Sequence, residues 1–254
     1  MAADGVARDA PSADDVAAAT VRVGEPRLVD GLVHWLRSAP DGSGDMLLVR
    51  ESPAGPQRCS APGRSLRSAL YGYGASAWAP TAAGPVGIEA RTRALVRVGT
   101  ERHEPLCAPR EGAALGDPVE LPGTDWVLAV EADATTCRLI AVSVVDGRRV
   151  EVLEVDGRAA EPQPSPDGRT LAWLRWPRRR MPWDAAEVWV GTLDVGRDGV
   201  ALRRRRRLDG GEGASAGQPT WRGDGALAYV TEAAGHWQPY VCDDGGAVLL
   251  VPCL

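Results

Sequence analysis

Residues 213–217 read GASAG, a match to G-x-S-x-G, the spacing that seats a nucleophilic serine on a sharp turn between a buried strand and a helix. Acyl transfer from Ser215 would also need an imidazole base, an orienting carboxylate and an oxyanion hole. The flanking residues do not build that frame. RRRRRLDGGE precedes the motif without a buried strand, and Gln218-Pro219-Thr220-Trp221 follows it without a clean helix start. The one later histidine, His236, stands in a polar turn. Ser215 is therefore read as a loop serine, and no residue is assigned a catalytic role.

Other chemistry-bearing stretches read as structural. GYGASA (72–77) fits the dinucleotide fingerprint G-x-G-x-x-A, which requires a helix N-terminus against a pyrophosphate. Trp78-Ala79-Pro80 follows at once and stops a helix, so a Gly-rich strand start is expected. The runs Arg203–Arg207 and Pro177–Arg180 carry the densest positive charge. Five arginines in a row fit the outermost strand of a sheet, where charge blocks edge-to-edge pairing. No aromatic stacking platform interleaves with them, which argues against nucleic acid as a partner. Asp167-Gly168 and Asp224-Gly225 are structural turns: Asp bonds the turn backbone and Gly takes the left-handed position. The five cysteines (59, 107, 137, 242, 253) form no C-x-x-C pair, and the three histidines (34, 103, 236) no H-E-x-x-H, so neither metal nor cofactor is expected.

The elements that must carry these residues are strands. Short apolar runs such as LVHWL (32–36), DMLLVR (45–50), WVLAVE (126–131), RLIAVSVV (138–145), TLAWLRW (170–176) and EVWVGTL (187–193) alternate with Gly, Pro and Asp clusters. Asp-Gly recurs between them, and both residues tolerate the positive φ of hairpin turns. Helical periodicity is confined to the start, where Ser12 can cap a short helix through VAAAT. QPSPDGRTLAWL (163–174) and QPTWRGDGALAYV (218–230) share Gln-Pro, Asp-Gly and a strand. Equivalent strands near 33, 77, 127, 171 and 227 give a period of roughly 40 to 55 residues, about four strands per unit. The expected fold is all-β, a partial β-propeller of about five four-stranded blades with a short N-terminal helix. Blade starts fall near 28, 72, 122, 161 and 216, after a disordered tail over 1–11.

With 254 residues, 44% apolar and 25% charged, the chain can bury a core, and its net charge of -5 draws it to no polyanion. The acidic N-terminus lacks an apolar signal region and no run reaches a membrane span. The odd, scattered cysteine set suggests reduced thiols, so a cytoplasmic location and no membrane partner are expected.

QPSPDGRTLAWLRW followed by PRRRMPWDAAEVWVGTLD resembles the N-terminal propeller of the prolyl oligopeptidase family of serine peptidases, in its bacterial dipeptidyl aminopeptidase and acylaminoacyl-peptidase branch. Family members carry P-x-W-S-P-D-G, then L-A-W-L, then M-P-W-D-x-x-E-L-W-V. ADDVAAATVRVGEPRLVDGLVHWLRS (13–38), RSALYGYGASAW (67–78) and AGQPTWRGDGALAYVTEAAGHWQPYV (216–241) are similar to further family segments. Two departures stand out: Arg222-Gly223-Asp224-Gly225 replaces Ser-Pro-Asp-Gly, and Gly72 holds a usually acidic position that could meet a substrate amine.

The resemblance implies a non-catalytic, substrate-gating propeller whose partner is an α/β-hydrolase catalytic domain carrying Ser, Asp and His, with short peptides as substrates. That catalytic domain does not follow within these residues, so the chain by itself is expected to be inactive. Tyr71, Tyr73, Trp183 and Asp184 are the implied interdomain or substrate rim. An unfinished ring would expose blade edges and invite self-association. The alternative is a stand-alone Tol-B-type propeller that binds a protein partner.

Overall fold

The computed structural model describes residues 12, 20–243 and 246–249. The anticipated tail over 1–11 and helix over 13–19 lie outside the described residues. The described chain folds into five antiparallel four-stranded blades. Blade I holds β1 (Val23–Val29), β2 (Leu32–Ser38), β3 (Met46–Arg50) and β4 (Gln57–Arg58). Blade II holds β5 (Trp78–Ala79), β6 (Val86–Ile88), β7 (Leu95–Arg97) and β8 (Glu104–Cys107). Blade III holds β9 (Ala114–Glu120), β10 (Trp126–Ala132), β11 (Cys137–Ser143) and β12 (Arg149–Glu154). Blade IV holds β13 (Arg158–Pro164), β14 (Thr170–Trp176), β15 (Glu187–Gly196) and β16 (Gly199–Gly210). Blade V holds β17 (Ala216–Trp221), β18 (Leu227–Thr231), β19 (Gln238–Asp243) and β20 (Gly246–Leu249). The helical elements are a 3-10 turn at Leu70–Gly72 and the one-turn α1 (Pro182–Ala185). No helix among the described residues is long and apolar enough to cross a membrane.

Period-two patterning explains the stacking. In β10, Leu128 and Val130 face one neighbour while Val127 and Ala129 face the other, and all four are buried. β14 divides likewise, Leu171 and Trp173 toward blade III, Ala172 and Leu174 toward blade V. A strand apolar on both faces is stable only between two sheets, so the blades must stack. Four apolar clusters fill the I/II, II/III, III/IV and IV/V seams, with Trp78 and Trp173 the largest wholly buried side chains. Two tryptophans also latch blade to blade: Trp78 Nε1 donates to Glu25 O at 3.0 Å, and Trp221 Nε1 to Gln163 O at 2.8 Å. Among the described residues no such cluster joins blade V to blade I. On blade I, Val21, Val23, Leu28, Leu32 and Val33 stay exposed.

Arg203–Arg207 lie exposed on β16, the outermost strand of blade IV, and Arg203 and Arg207 pair with Asp194 and Glu187. Two details of the repeat read from sequence are corrected. The strand near 77 is the innermost of its blade, not the second, because blade II builds β5 and β6 from two and three residues and shows no long apolar run. Gln218-Pro219 matches Glu161-Pro162 rather than Gln163-Pro164, since both pairs fall in the bulge of an innermost strand.

Candidate functional site

Antiparallel blades divide the molecule into two rims. Hairpins between first and second strands lie at one rim; loops between second and third strands, and the blade-to-blade connections, lie at the other. Asp167-Gly168 and Asp224-Gly225 occupy hairpin turns of the first rim. There Asp167 Oδ1 accepts from Ser165 Oγ at 2.6 Å and Arg169 N at 3.0 Å, and Asp224 Oδ1 from Ala226 N at 3.1 Å. Gly168 and Gly225 have φ of 69° and 88°. Tyr71, Tyr73, Trp183 and Asp184 all belong to the second rim.

The wall leading inward from that rim is built by a repeated device. Glu25, Asp117, Glu161 and Gln218 each take a left-handed φ, between 50° and 54°, and each precedes a proline. All four sit where the ladder of an innermost strand slips register. Proline has no N–H to give the ladder, so the strand bulges and its preceding side chain is re-aimed. The carboxylates then stitch blades together. Glu25 Oε2 accepts from Ser76 Oγ at 3.0 Å and Ala77 N at 2.8 Å. Asp117 reaches both ways, accepting from Ser76 N at 2.9 Å and Glu161 N at 3.0 Å. Glu161 breaks the pattern: its carboxyl has no hydrogen-bond partner among the described residues. Burial, with Asp117 facing it, pushes the Glu161 pKa up to about 7. Burial also raises Asp117 and Glu25 above the usual carboxylate range, against the hydrogen bonds that hold them ionised.

Two cavities flank Glu161. One of about 260 Å³ is lined by Arg27, Ser76, Asp117 and Gln163 as well as Glu161. The other, about 460 Å³, lies at the IV/V junction, where Trp183 and Trp237 line it with Glu161, Gln218 and Gln238. Trp183 is 61% exposed and Trp237 48%.

Local chemistry fixes Trp183. Pro182 starts α1 with its φ preset, and Asp184 Oδ2 accepts from Met181 N at 3.4 Å. Ser215 does the rest. Wholly buried, its Oγ accepts from Ala186 N at 3.2 Å and donates to Pro182 O at 3.1 Å, and its own N–H donates to Glu232 at 3.0 Å. The serine of GASAG is a clamp for the α1 turn; its hydroxyl is occupied by backbone rather than by an imidazole.

Tyr71 and Tyr73 differ although two residues apart. The Tyr71 hydroxyl donates to Ala159 O at 2.6 Å and accepts from Ala159 N at 3.1 Å, with Cys137 Sγ at 3.3 Å. Its ring meets Trp176 edge-on at 5.5 Å, and the Arg158 guanidinium sits 4.5 Å from its centroid. Burial holds its phenol far above the ordinary range, so Tyr71 is a neutral strut between blades. Tyr73 is 62% exposed and open to a ligand or partner.

Sequence reasoning used Gln218-Pro219 only to mark a repeat and passed over Glu25, Asp117 and Glu161. The available signal was the recurring polar-residue-then-proline pair, Glu25-Pro26, Asp117-Pro118, Glu161-Pro162 and Gln218-Pro219.

Fold and site define a five-bladed propeller arc with an acidic, tryptophan-bearing rim. No family model and no curated protein matches the chain. Solved structures do. The chain is similar to a puromycin-hydrolyzing peptidase of Mycobacterium tuberculosis, at 27% identity and a TM-score of 0.82, over 95% of this chain and 40% of that one. A puromycin hydrolase matches at 27% identity and TM-score 0.82, over 97% and 41% of the two chains. An oligogalacturonate lyase solved with manganese matches at 16% identity and TM-score 0.62, over 87% and 63%, a likeness of fold alone. The chain thus spans about two fifths of the length of the solved peptidases it matches. The resemblance to the propeller of the prolyl oligopeptidase family, read from MPWD and its neighbours, holds in three dimensions.

Proposed function

We propose that this chain is the substrate-gating propeller portion of a serine peptidase of the prolyl oligopeptidase family that hydrolyses short peptides. The observation that carries this reading is the likeness, at a TM-score of 0.82 over 95% of the chain, to 40% of a puromycin-hydrolyzing peptidase. In this reading the second rim, with Tyr73, Trp183 and Asp184, faces an α/β-hydrolase domain that supplies the nucleophile. The propeller supplies shape: it admits extended peptides to that domain and excludes folded protein. In this reading the GASAG motif supplies no nucleophile, because the hydroxyl of Ser215 is committed to the α1 turn. The apolar residues of blade I that stay exposed among the described residues make self-association the expected behaviour of the chain on its own. A cytoplasmic location accords with Cys59, Cys107 and Cys137, which form no disulfide among the described residues.

The test is a chimera in which this chain replaces the matched 40% of the Mycobacterium tuberculosis peptidase. A folded chimera should cleave aminoacyl- and dipeptidyl-anilides and spare folded protein. A folded chimera that digests folded protein as readily as anilides would refute a gating role. A Tol-B-type binding module would instead give a chimera without ordered contact between its two parts.

A further inference from the structure

We propose that the cavity between blades IV and V is a binding site for a small organic cation with an apolar or aromatic body, held between Trp183 and Trp237 and neutralised by the Glu161 carboxylate. Its volume of about 460 Å³ lies within the range of small-molecule sites. The remaining walls are largely apolar, with Leu174, Pro182, Val230 and Pro239 among them. Two large indoles left 61% and 48% exposed on loops of adjacent blades offer π-faces to a ligand.

Charge decides the class of ligand. The chain carries 29 basic residues, yet none lines this cavity, while Glu161 enters it without a hydrogen-bond partner. Every other carboxylate of the innermost bulges spends its oxygens on a neighbouring blade: Glu25 on Ser76 and Ala77, Asp117 on Ser76 and Glu161 N. A half-buried carboxylate in a cavity that two indoles also line, with no basic side chain in its walls, is complementary to an alkyl- or arylalkylammonium. A carboxylate or phosphate ligand would meet a like charge there. The site is also held in place before any ligand arrives. Ser215 and Asp184 fix the turn bearing Trp183, and the proline bulge at Pro162 fixes Glu161. Cation binding is a property of this chain and stands whether or not a catalytic domain is attached.

Calorimetric titration of the 254-residue chain at pH 8 tests this, with benzyltrimethylammonium and phenethylammonium as cations and 2-phenylethanol as the uncharged control. Both cations should bind saturably at one site, at least about 10-fold more tightly than the alcohol. Glu161→Gln should weaken the cations about 10-fold and leave the alcohol unchanged. Trp183→Ala, an exposed position that leaves the fold intact, should weaken the cations and the alcohol alike. Equal affinity for cation and alcohol, absence of saturable binding, or cation affinity indifferent to both substitutions would overturn the assignment.

Discussion

Replacing Glu161 with glutamine removes a charge that the fold disfavours. The side chain titrates near 4.5 when solvated and at about 7 in the folded chain, because burial and the facing Asp117 oppose its ionisation. A carboxyl whose folded pKa is raised favours the folded state in its protonated form. That contribution is fully present below about pH 4.5 and is lost as pH rises through 7. At 1.36 kcal/mol per pKa unit, the whole effect is about 3 kcal/mol. Glutamine has the shape of the protonated acid and does not titrate. Glu161→Gln should therefore match the parent near pH 4.5 and exceed it by about 3 kcal/mol at pH 8. Asp117 shifts in the same direction in the parent, so the difference between the two proteins isolates Glu161 and its interaction with Asp117. Urea denaturation followed by circular dichroism from pH 4.5 to 8 measures that difference directly. A stability difference constant across the range, or one that grows toward acid, would refute the claim that the folded chain disfavours the ionised Glu161 carboxylate.

Ser215→Ala should cost about 1 kcal/mol, because Ala186 N–H and Pro182 O, which also bond each other, lose their shared hydroxyl partner; a fall in melting temperature with the propeller circular dichroism retained checks it. Tyr71→Phe should cost a similar amount, since it strips both backbone groups of Ala159 of one partner, and denaturant midpoints report it. Replacing Leu28 and Val33, exposed on blade I, with Ser should reduce concentration-dependent association in sedimentation velocity; unchanged association would place the contact elsewhere.

The fold was legible because blade sequences carry two independent signals. Runs such as WVLAVE and TLAWL are apolar at successive positions, which fits a strand covered on both faces, and Asp-Gly pairs mark the hairpins between them. Blade II was harder to place: with two- and three-residue strands, its Trp78–Ala79 core offers too few alternations to tell first strand from second. The rim was legible in part. MPWD stood out because strand patterning does not demand Pro-Trp-Asp, and the rejection of GASAG as a catalytic motif followed from its flanks. What the flanks did not reveal is the use of Ser215 as a clamp, since its partners lie some thirty residues away on α1. Glu161 was hidden for a different reason. The neighbouring Gln163-Pro164 repeats the letters of Gln218-Pro219, whereas the bulge selects on φ and proline position and accepts Glu, Asp or Gln before the ring.

In the proposed function, the chain lends shape and recognition to a reaction whose nucleophile lies in another domain. Hydrolysis of aminoacyl- and dipeptidyl-p-nitroanilides by the purified chain, beside its Ser215→Ala variant, tests that most directly. Rates indistinguishable from buffer for both proteins are predicted; turnover by the parent that vanishes in the variant would contradict the account.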